Sequence, residues 1–307
     1  MKWTVRIGIG IAALAILAVI GSALFAVYYE EDIKQYAIGE LNKNLKTELK
    51  VERVEMHVFA KFPFISLRFK NIWATDPFDE GGSDSLFYFN AGWLKFNLFD
   101  VLRNDYRIRR IELEEGFANL KINNKGEANF DIIKRDDEKS GFLLRLNQCK
   151  VRQARVRFTN EMNNDNLDLL ADEIAFSGDF SREVFTTRVE SEMLVNTLDL
   201  HGIQYLQARS LEISAKLNVN KKEKSWKIGN GKASVDHSMP FAISGTFSDR
   251  GDKIKLTLDI DSRELQLTPA LDLLPDKLKP DMGKYGSDGI IDFKCRISGY
   301  AGKSATP

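Results

Sequence analysis

The chain has 307 residues, with 44 basic and 44 acidic side chains, so its formal net charge at pH 7 is zero. This balance argues against a dedicated nucleic-acid-binding protein, which normally carries an excess of basic side chains. Hydrophobic residues make up 43% of the sequence, which excludes wholesale disorder and is enough for one large or two ordinary domains. Two cysteines and three histidines are too few for a disulfide scaffold or a structural zinc site.

The first apolar segment, residues 7–29, contains no charged side chain over 23 residues. As a helix it would be about 34 Å long, enough to cross a hydrocarbon core of roughly 30 Å. Basic residues precede it and acidic residues follow it, so the positive-inside rule places residues 1–6 in the cytoplasm. The sequence therefore predicts a single-pass transmembrane anchor. Its anchoring residues are Ile7, Ile11, Leu14, Leu17, Ile20, Leu24, Tyr28 and Tyr29.

A cleaved signal peptide is the alternative, although its apolar region is usually only about 7–15 residues long. In a bacterium, an uncleaved anchor would lie in the inner membrane and the bulk of the chain would lie in the periplasm. That compartment is oxidising, so Cys149 and Cys295 either form a disulfide or remain two separate buried thiols.

Residues 30–49 follow the anchor and carry an apolar side chain at every fourth position from Ile33 to Leu49. This spacing places the apolar side chains in one narrow stripe of a helix. We therefore predict a short amphipathic helix over residues 30–49 that tethers the next domain to the bilayer surface.

From residue 50 the hydrophobic period changes to two, which is typical of strands with one buried and one solvated face. Strands recur about every 10–15 residues without long helices between them, which favours a mainly β, antiparallel sheet over βαβ units. We predict a first β-sheet segment over residues 50–133 and a continued one over residues 142–307. A polar linker or loop, residues 134–141, separates them.

Catalytic patterns such as H-E-x-x-H, C-x-x-C and G-x-S-x-G are absent from the sequence. We therefore predict no enzymatic activity, no cofactor and no metal site. Residues 160–168 are rich in Asn and Asp but lack the spacing of a calcium loop, which favours a hairpin turn. Asp236 and His237 are interpreted as a surface pair. A basic strand forms either a solvated face or a surface for lipid headgroups; its residues are Lys150, Arg152, Arg155 and Arg157.

The apolar faces of the strands are the remaining candidate for a function. Either a second sheet or a helix covers them, as in a sandwich, or a curved sheet leaves them open as a groove for acyl chains. Each CH₂ group moved from water onto an open face would gain roughly 0.8 kcal/mol. Both arrangements require the same alternation, so the pattern does not separate them. The candidate groove residues, assigned to separate strands, are Ile65, Leu67, Phe69, Ile111, Leu113, Leu120 and Ile122.

Several short motifs follow the predicted anchor in a defined order. Residues 36–45 lie on the tether helix, residues 62–67 read FPFISL, residues 106–113 read YRIRRIEL and residues 123–132 read NNKGEANFDI. Leu273-Leu274-Pro275 and Ser287-Asp288-Gly289 lie further along. In this order the motifs resemble the AsmA-like family of inner-membrane-anchored periplasmic proteins, in the form common in Bacteroidetes.

Two positions depart from the pattern of that family. Phe130 stands where the family usually has Trp, and Glu115-Gly116-Phe117 stands where it often has Pro. Family members of this kind are commonly much longer, so the resemblance also implies that the chain is an N-terminal portion of a longer protein.

The resemblance implies a curved, groove-like sheet of the repeating β-groove type. It also implies a non-enzymatic role in building the cell envelope, in which the groove holds or conducts phospholipid between the inner and outer membranes and influences outer-membrane assembly. The implied partners are the inner membrane, a phospholipid or other acyl-chain lipid, and envelope proteins. The alternative is a structural or regulatory scaffold with a closed sheet and no lipid, which affects the targeting of proteins to the membrane.

Overall fold

The structure is a computed structural model. It describes residues 38–39, 42–43, 45–61, 64–79, 81, 84–97, 100, 103, 108–132, 134, 147–180, 182–251, 253–275 and 288–302. The predicted anchor at residues 7–29 lies outside these residues, as does most of the predicted linker at 134–141. Across the described ranges, no helix has both the length and the apolar character needed to span a membrane.

The described part of the chain is mainly β, as predicted, and forms one twelve-stranded sheet. Each strand is hydrogen-bonded to the strand that follows it in sequence, so strand order in the sheet equals strand order in the chain. The strands are β1 (Leu49–Lys61), β2 (Phe64–Thr75), β3 (Ser85–Asn97), β4 (Ile108–Ile122), β5 (Gln148–Asn160), β6 (Asp165–Gly178), β7 (Val184–Leu200), β8 (Ile203–Asn220), β9 (Ser225–Val235), β10 (Met239–Asp249), β11 (Lys253–Gln266) and β12 (Ile290–Gly302). One short helix, α1 (Leu267–Asp272), follows β11.

The strand pairs are antiparallel except for one. Strands β4 and β5 are parallel, so the prediction of a purely antiparallel sheet is wrong at this position. The connection between them returns the chain to the end of the sheet where β4 begins. This is shown by the Asn147 N–H, which donates to the Arg109 carbonyl at 3.0 Å. Parallel pairing requires such a return, whereas a hairpin turn would give an antiparallel pair.

The segment before β1 is helical for fewer residues than the sequence predicts. Residues 38–39 and 42–43 are helical, whereas Leu45 forms a β-bridge and Leu49 already begins β1. The side chain of Asn42 accepts from the Leu49 N–H at 2.8 Å and donates to its carbonyl at 3.2 Å. The Lys46 N–H donates to the Ile132 carbonyl at 2.6 Å. These bonds satisfy the backbone in a non-helical form, so the predicted helix end at residue 49 is wrong.

Strand β4 shows how one apolar face continues through an irregular residue. Ile111 and Leu113 occupy odd positions, whereas Leu120 and Ile122 occupy even positions. In a regular strand these two pairs would lie on opposite faces, so the offset predicts two strands. All four residues nevertheless lie in β4. Glu115 lies between the two pairs with a φ of 54°. A left-handed residue of this kind interrupts the strict alternation of side chains, as in a bulge. The same face is therefore resumed one position later in the same strand.

The irregular residues of neighbouring strands lie in one row across the sheet. Gln153 in β5 has a φ of 49°. The neighbours of Gln153 in β5 are paired with the neighbours of Glu115 in β4, so Gln153 and Glu115 lie side by side. Asn71 in β2 also has a φ of 49°. Asn90 in β3 lies between Asn71 and Glu115 and donates to the Glu115 carboxylate at 3.0 Å. The phase change therefore occurs at the same level in neighbouring strands, and the apolar face stays continuous.

Two hydrophobic clusters lie on this face. The larger one is centred on β2 and β3, and Ile38 of the helical segment packs against it; its buried members are Ile65, Leu67, Phe69, Ile72, Leu94, Phe96 and Ile108. The smaller one has Val235, Met239 and Leu265 at its centre. Ala270 of α1 and the following Leu273 pack against the smaller cluster, so this helix covers one end of the face near β9 to β11.

Candidate functional site

The candidate site is the apolar face of the sheet, which we define by directly opposed apolar residues on successive strands. One row of such residues runs from β1 to β8: Met56, Leu67, Leu94, Ile111, Cys149, Phe176, Val189 and Ala215. At the other edge, Ile243 is opposite Ile260, and Ile260 is opposite Cys295. Among the described strands, contacts are concentrated between sequence neighbours, so no second sheet lies on this face.

The exposure of the apolar face differs from one part of the sheet to another. Leu67 in β2 is 0% exposed and Phe96 in β3 is 4% exposed. At the far edge, Ile254 in β11 is 45% exposed, and Phe293 and Ile297 in β12 are each 39% exposed. The face is therefore a packed core at β2–β4 and is open over part of β11 and β12, while the smaller cluster is buried beneath α1.

The seven candidate groove residues lie on this face but are not equally accessible. Ile65, Leu67 and Phe69 are buried and belong to the larger cluster. Ile111 and Leu113 are half-buried and pack against the same cluster. Leu120 and Ile122 are half-buried at the end of β4. At the first three positions the packing matches the interpretation of a core and leaves no surface for a ligand.

Sequence reasoning did not single out the accessible apolar residues of β11 and β12. The alternation over β11 and β12 was visible in the sequence, but alternation identifies a face and carries no information about what covers it. Trp226 in β9 was not singled out either: it is half-buried and lies opposite Phe247 and Val219, whose side chains belong to the apolar face.

Both cysteines lie on the apolar face, Cys149 in β5 and Cys295 in β12, and both are free thiols. Seven strand intervals separate them, at about 4.8 Å each, whereas a disulfide requires Cα atoms within about 7 Å. The two thiols are therefore separate, as one of the two interpretations predicts, but each is half-buried and not fully buried. Burial raises the pKa of the Cys149 thiol above its usual value.

The opposite side of the sheet, which we call the charged face, carries cross-strand ion pairs. Lys95 Nζ lies 2.7 Å from Glu112 Oε1, and the two side chains are only 15% and 10% exposed. Burial favours the neutral form of Glu112. The hydrogen bond and charge of Lys95, with the charges of Arg110 and Arg152, outweigh this effect and leave the pKa of Glu112 below its usual value.

The basic strand β5 is paired with carboxylates on the charged face. Lys150 and Arg152 both donate to Glu173, at 2.7 and 3.0 Å. Arg155 donates two hydrogen bonds to Asp168, and this hydrogen bonding is the main cause that lowers the pKa of that carboxyl. Because acidic side chains already neutralise these cations, the geometry favours the interpretation of a solvated strand face over a surface for lipid headgroups.

The remaining polar patterns form turns and surface contacts. Residues 161–164 form the hairpin turn between β5 and β6, as predicted. The prediction that His237 pairs with Asp236 is wrong, because the partners of His237 are other residues. Its Nδ1 lies 2.5 Å from Glu212 and its Nε2 lies 3.3 Å from Ser210 Oγ. Both the His237 and Glu212 side chains are well exposed, at 64% and 46%. Within the described residues, no group of three or more His, Cys, Asp or Glu side chains is arranged to hold a metal ion.

Comparison of the chain with protein-family models, with curated proteins and with solved structures finds no match. The site is therefore interpreted from its own geometry. Its main property is a single apolar face that crosses twelve strands. On the opposite, charged face, side chains of neighbouring strands form ion pairs with one another.

Proposed function

We propose that this chain is a non-enzymatic envelope protein that holds acyl chains of phospholipid on the apolar face of its sheet. The observation that carries the proposal is the exposure of this face at β11 and β12, where Ile254, Phe293 and Ile297 are 39–45% exposed. Large exposed apolar patches on soluble domains are typical of binding surfaces. The resemblance to the AsmA-like family supports a lipid as the ligand and the inner membrane as the place of attachment.

The energetics of the apolar face favour an acyl chain over a small polar ligand. The described residues of β11 and β12 expose isoleucine and phenylalanine on this face, whereas their charged residues Asp259 and Arg296 pair on the other face. An acyl chain of twelve carbons gains up to about 10 kcal/mol from contact with such a surface before ordering costs. The headgroup gains nothing on an apolar surface, so it would remain in solvent.

Fluorescence quenching tests the proposal on the full chain in detergent. Trp226 lies on the apolar face, whereas Trp93 lies on the charged face with the Arg68 guanidinium 5.1 Å from its ring. Two variants keep one tryptophan each, with the other three changed to Phe. Bromine-labelled stearate should quench Trp226 in a saturable manner and leave Trp93 unchanged.

The same experiment has clear contrary outcomes. Equal quenching of Trp226 and Trp93 would indicate nonspecific partition into the micelle, and absence of quenching would exclude an acyl chain at the site. Lipid extraction from the purified chain, followed by mass spectrometry, then identifies the bound species.

A scaffold with a closed sheet is the second candidate function. The observation in its favour is the cluster at β2–β4, where Leu67 is fully buried and no apolar surface is offered. A scaffold would bind envelope proteins through exposed residues and would contain no lipid after purification. Saturable quenching of Trp226 therefore decides against it.

A further inference from the structure

Three basic side chains surround one carboxylate on the charged face, where β1 pairs with β2. Arg53 lies directly opposite Lys70, and Glu55 lies directly opposite Arg68. Lys70 Nζ is 2.8 Å and Arg53 Nε is 3.4 Å from Glu55 Oε1. Arg68 Nη1 is 3.9 Å from Glu55 Oε2. We call these four residues the cationic block.

The cationic block carries a surplus of positive charge. Within the described residues, Glu55 is the only carboxylate within 4.0 Å of any of its three cations. The hydrogen bond from Lys70 is the main cause that lowers the pKa of Glu55, so this carboxylate is ionised at neutral pH and offsets one positive charge. The next carboxylate along β1, Glu52, accepts a hydrogen bond from the Asn71 amide instead.

The charged face at β5 shows the opposite ratio of charges. There one cation, Arg152, contacts two carboxylates, Glu114 at 3.2 Å and Glu173 at 3.0 Å. In the cationic block, one carboxylate contacts three cations. Pairing within the sheet therefore accounts for the basic strand β5, but it leaves the cationic block short of negative charge.

The cations of the block are accessible, and one of them is held in place by an aromatic ring. Arg53 is 69% exposed, and Arg68 and Lys70 are half-buried. The Arg68 guanidinium lies 5.1 Å from the centre of the Trp93 ring. Its Nε is buried and has no hydrogen-bond partner among the described residues. The ring therefore positions this guanidinium, and its contact with Glu55 is a long one.

We propose that Arg53, Arg68 and Lys70 bind a phosphate group on the charged face. A phosphate group carries a charge of about −1.5 to −2 at pH 7 and three strong acceptor oxygens, which matches two surplus charges and three cationic donors. Arginine and lysine are the usual side chains for this ligand. The phosphate belongs either to a phospholipid headgroup or to a free anion. The site lies on the face opposite to the apolar one and does not depend on whether that face binds acyl chains.

The emission of Trp93 reports on the site in the full chain in nonionic detergent. In the variant that keeps only Trp93, a phosphate bound to Arg68 changes the charge beside the ring, so the emission should change in a saturable manner. The probes are inorganic phosphate and dihexanoyl phosphatidic acid, each compared with chloride at the same ionic strength. A response to inorganic phosphate assigns the site to a free anion, and a response to phosphatidic acid alone assigns it to a lipid headgroup. Absence of a saturable response to both probes, or an equal response to chloride, would overturn the proposal.

Charge removal tests which side chains bind the phosphate. Arg53→Gln and Lys70→Gln, each in the variant that keeps only Trp93, should raise the dissociation constant of the responding probe by about tenfold, because each removes a charge-assisted hydrogen bond. The matched control is Lys216→Gln, which removes one exposed lysine from β8. Circular dichroism confirms that each variant is folded. Equal dissociation constants for the folded Arg53→Gln, Lys70→Gln and Lys216→Gln variants would contradict the proposal.

Discussion

At the scale of single residues, the charged face combines partial burial with close pairing. Glu112 is the most buried carboxylate of this network, and its pairing with Lys95 keeps it ionised despite its burial. Glu173 is held in the same state by hydrogen bonds from Lys150 and Arg152. Each of these carboxyls has a pKa below its usual value in the folded chain, so each links the stability of the sheet to pH.

We expect the free energy of unfolding to fall in acid. A carboxyl with a lowered pKa contributes stability that is fully present above its unfolded pKa, near 4.5, and that is lost as the pH falls through its folded pKa. Glu112→Gln should lower the free energy of unfolding at pH 7 by about 1–3 kcal/mol, because Lys95 keeps its charge without its partner. It should also reduce the loss of stability between pH 7 and about pH 3, because that loss occurs below 4.5.

Urea unfolding at the two pH values, followed by circular dichroism, measures both effects. Glu190→Gln is the control, since Glu190 is exposed on β7. If Glu112→Gln is as stable as Glu190→Gln and retains the full pH dependence, the pairing of Glu112 with Lys95 does not stabilise the fold.

At the scale of elements, the row of irregular residues requires a close approach between β3 and β4. Gly116 follows the left-handed Glu115 and lies opposite Phe89. A Cβ atom at Gly116 would lie 2.0 Å from the Tyr88 carbonyl oxygen and 2.7 Å from the Phe89 Cα. Glycine at this position lets the two backbones come together where the alternation changes phase. The presence of glycine directly after Glu115 therefore has a structural reason in this chain.

Gly116→Ala should lower the free energy of unfolding by about 1–3 kcal/mol, because the methyl group displaces the backbone of β3. Gly229→Ala in β9 is the matched control, since a Cβ atom there meets nothing within 4 Å. Urea unfolding of the two variants measures the difference. Equal stability would show that the β3–β4 contact relaxes without cost.

At the scale of the whole molecule, the apolar face of the sheet has both packed and open parts. Leu67 is 0% exposed in β2 and Ile297 is 39% exposed in β12. An equivalent substitution should therefore have different consequences at these two positions of the same face.

Leu67→Asp should unfold the chain, because burial of an unpaired carboxylate costs several kcal/mol. Ile297→Asp should leave the circular dichroism spectrum unchanged and should weaken the quenching of Trp226 by bromine-labelled stearate. Loss of the fold in Ile297→Asp would show that this part of the face is structural. Unchanged quenching in a folded Ile297→Asp would place any ligand elsewhere.

The alternation of apolar and polar residues was sufficient to predict a mainly β chain with one apolar and one charged face. The Asn and Asp content of residues 160–168 also predicted a hairpin turn, which the structure has at residues 161–164, because turn residues are a local property of the sequence. The early end of the helical segment was not predictable from the apolar spacing. It depends on the bonds from Asn42 to Leu49 and from Lys46 to Ile132, and the partner of Lys46 is distant in the sequence.

Only the tertiary structure decided which part of the apolar face is accessible. Ile65 and Ile297 occur in the same alternating pattern, yet the first is buried and the second is exposed. The parallel pairing of β4 with β5 and the single strand through Glu115 were likewise outside the reach of the pattern. The physical reason is that periodicity records the direction of each side chain relative to its own strand, whereas burial and pairing depend on which other segments lie next to it.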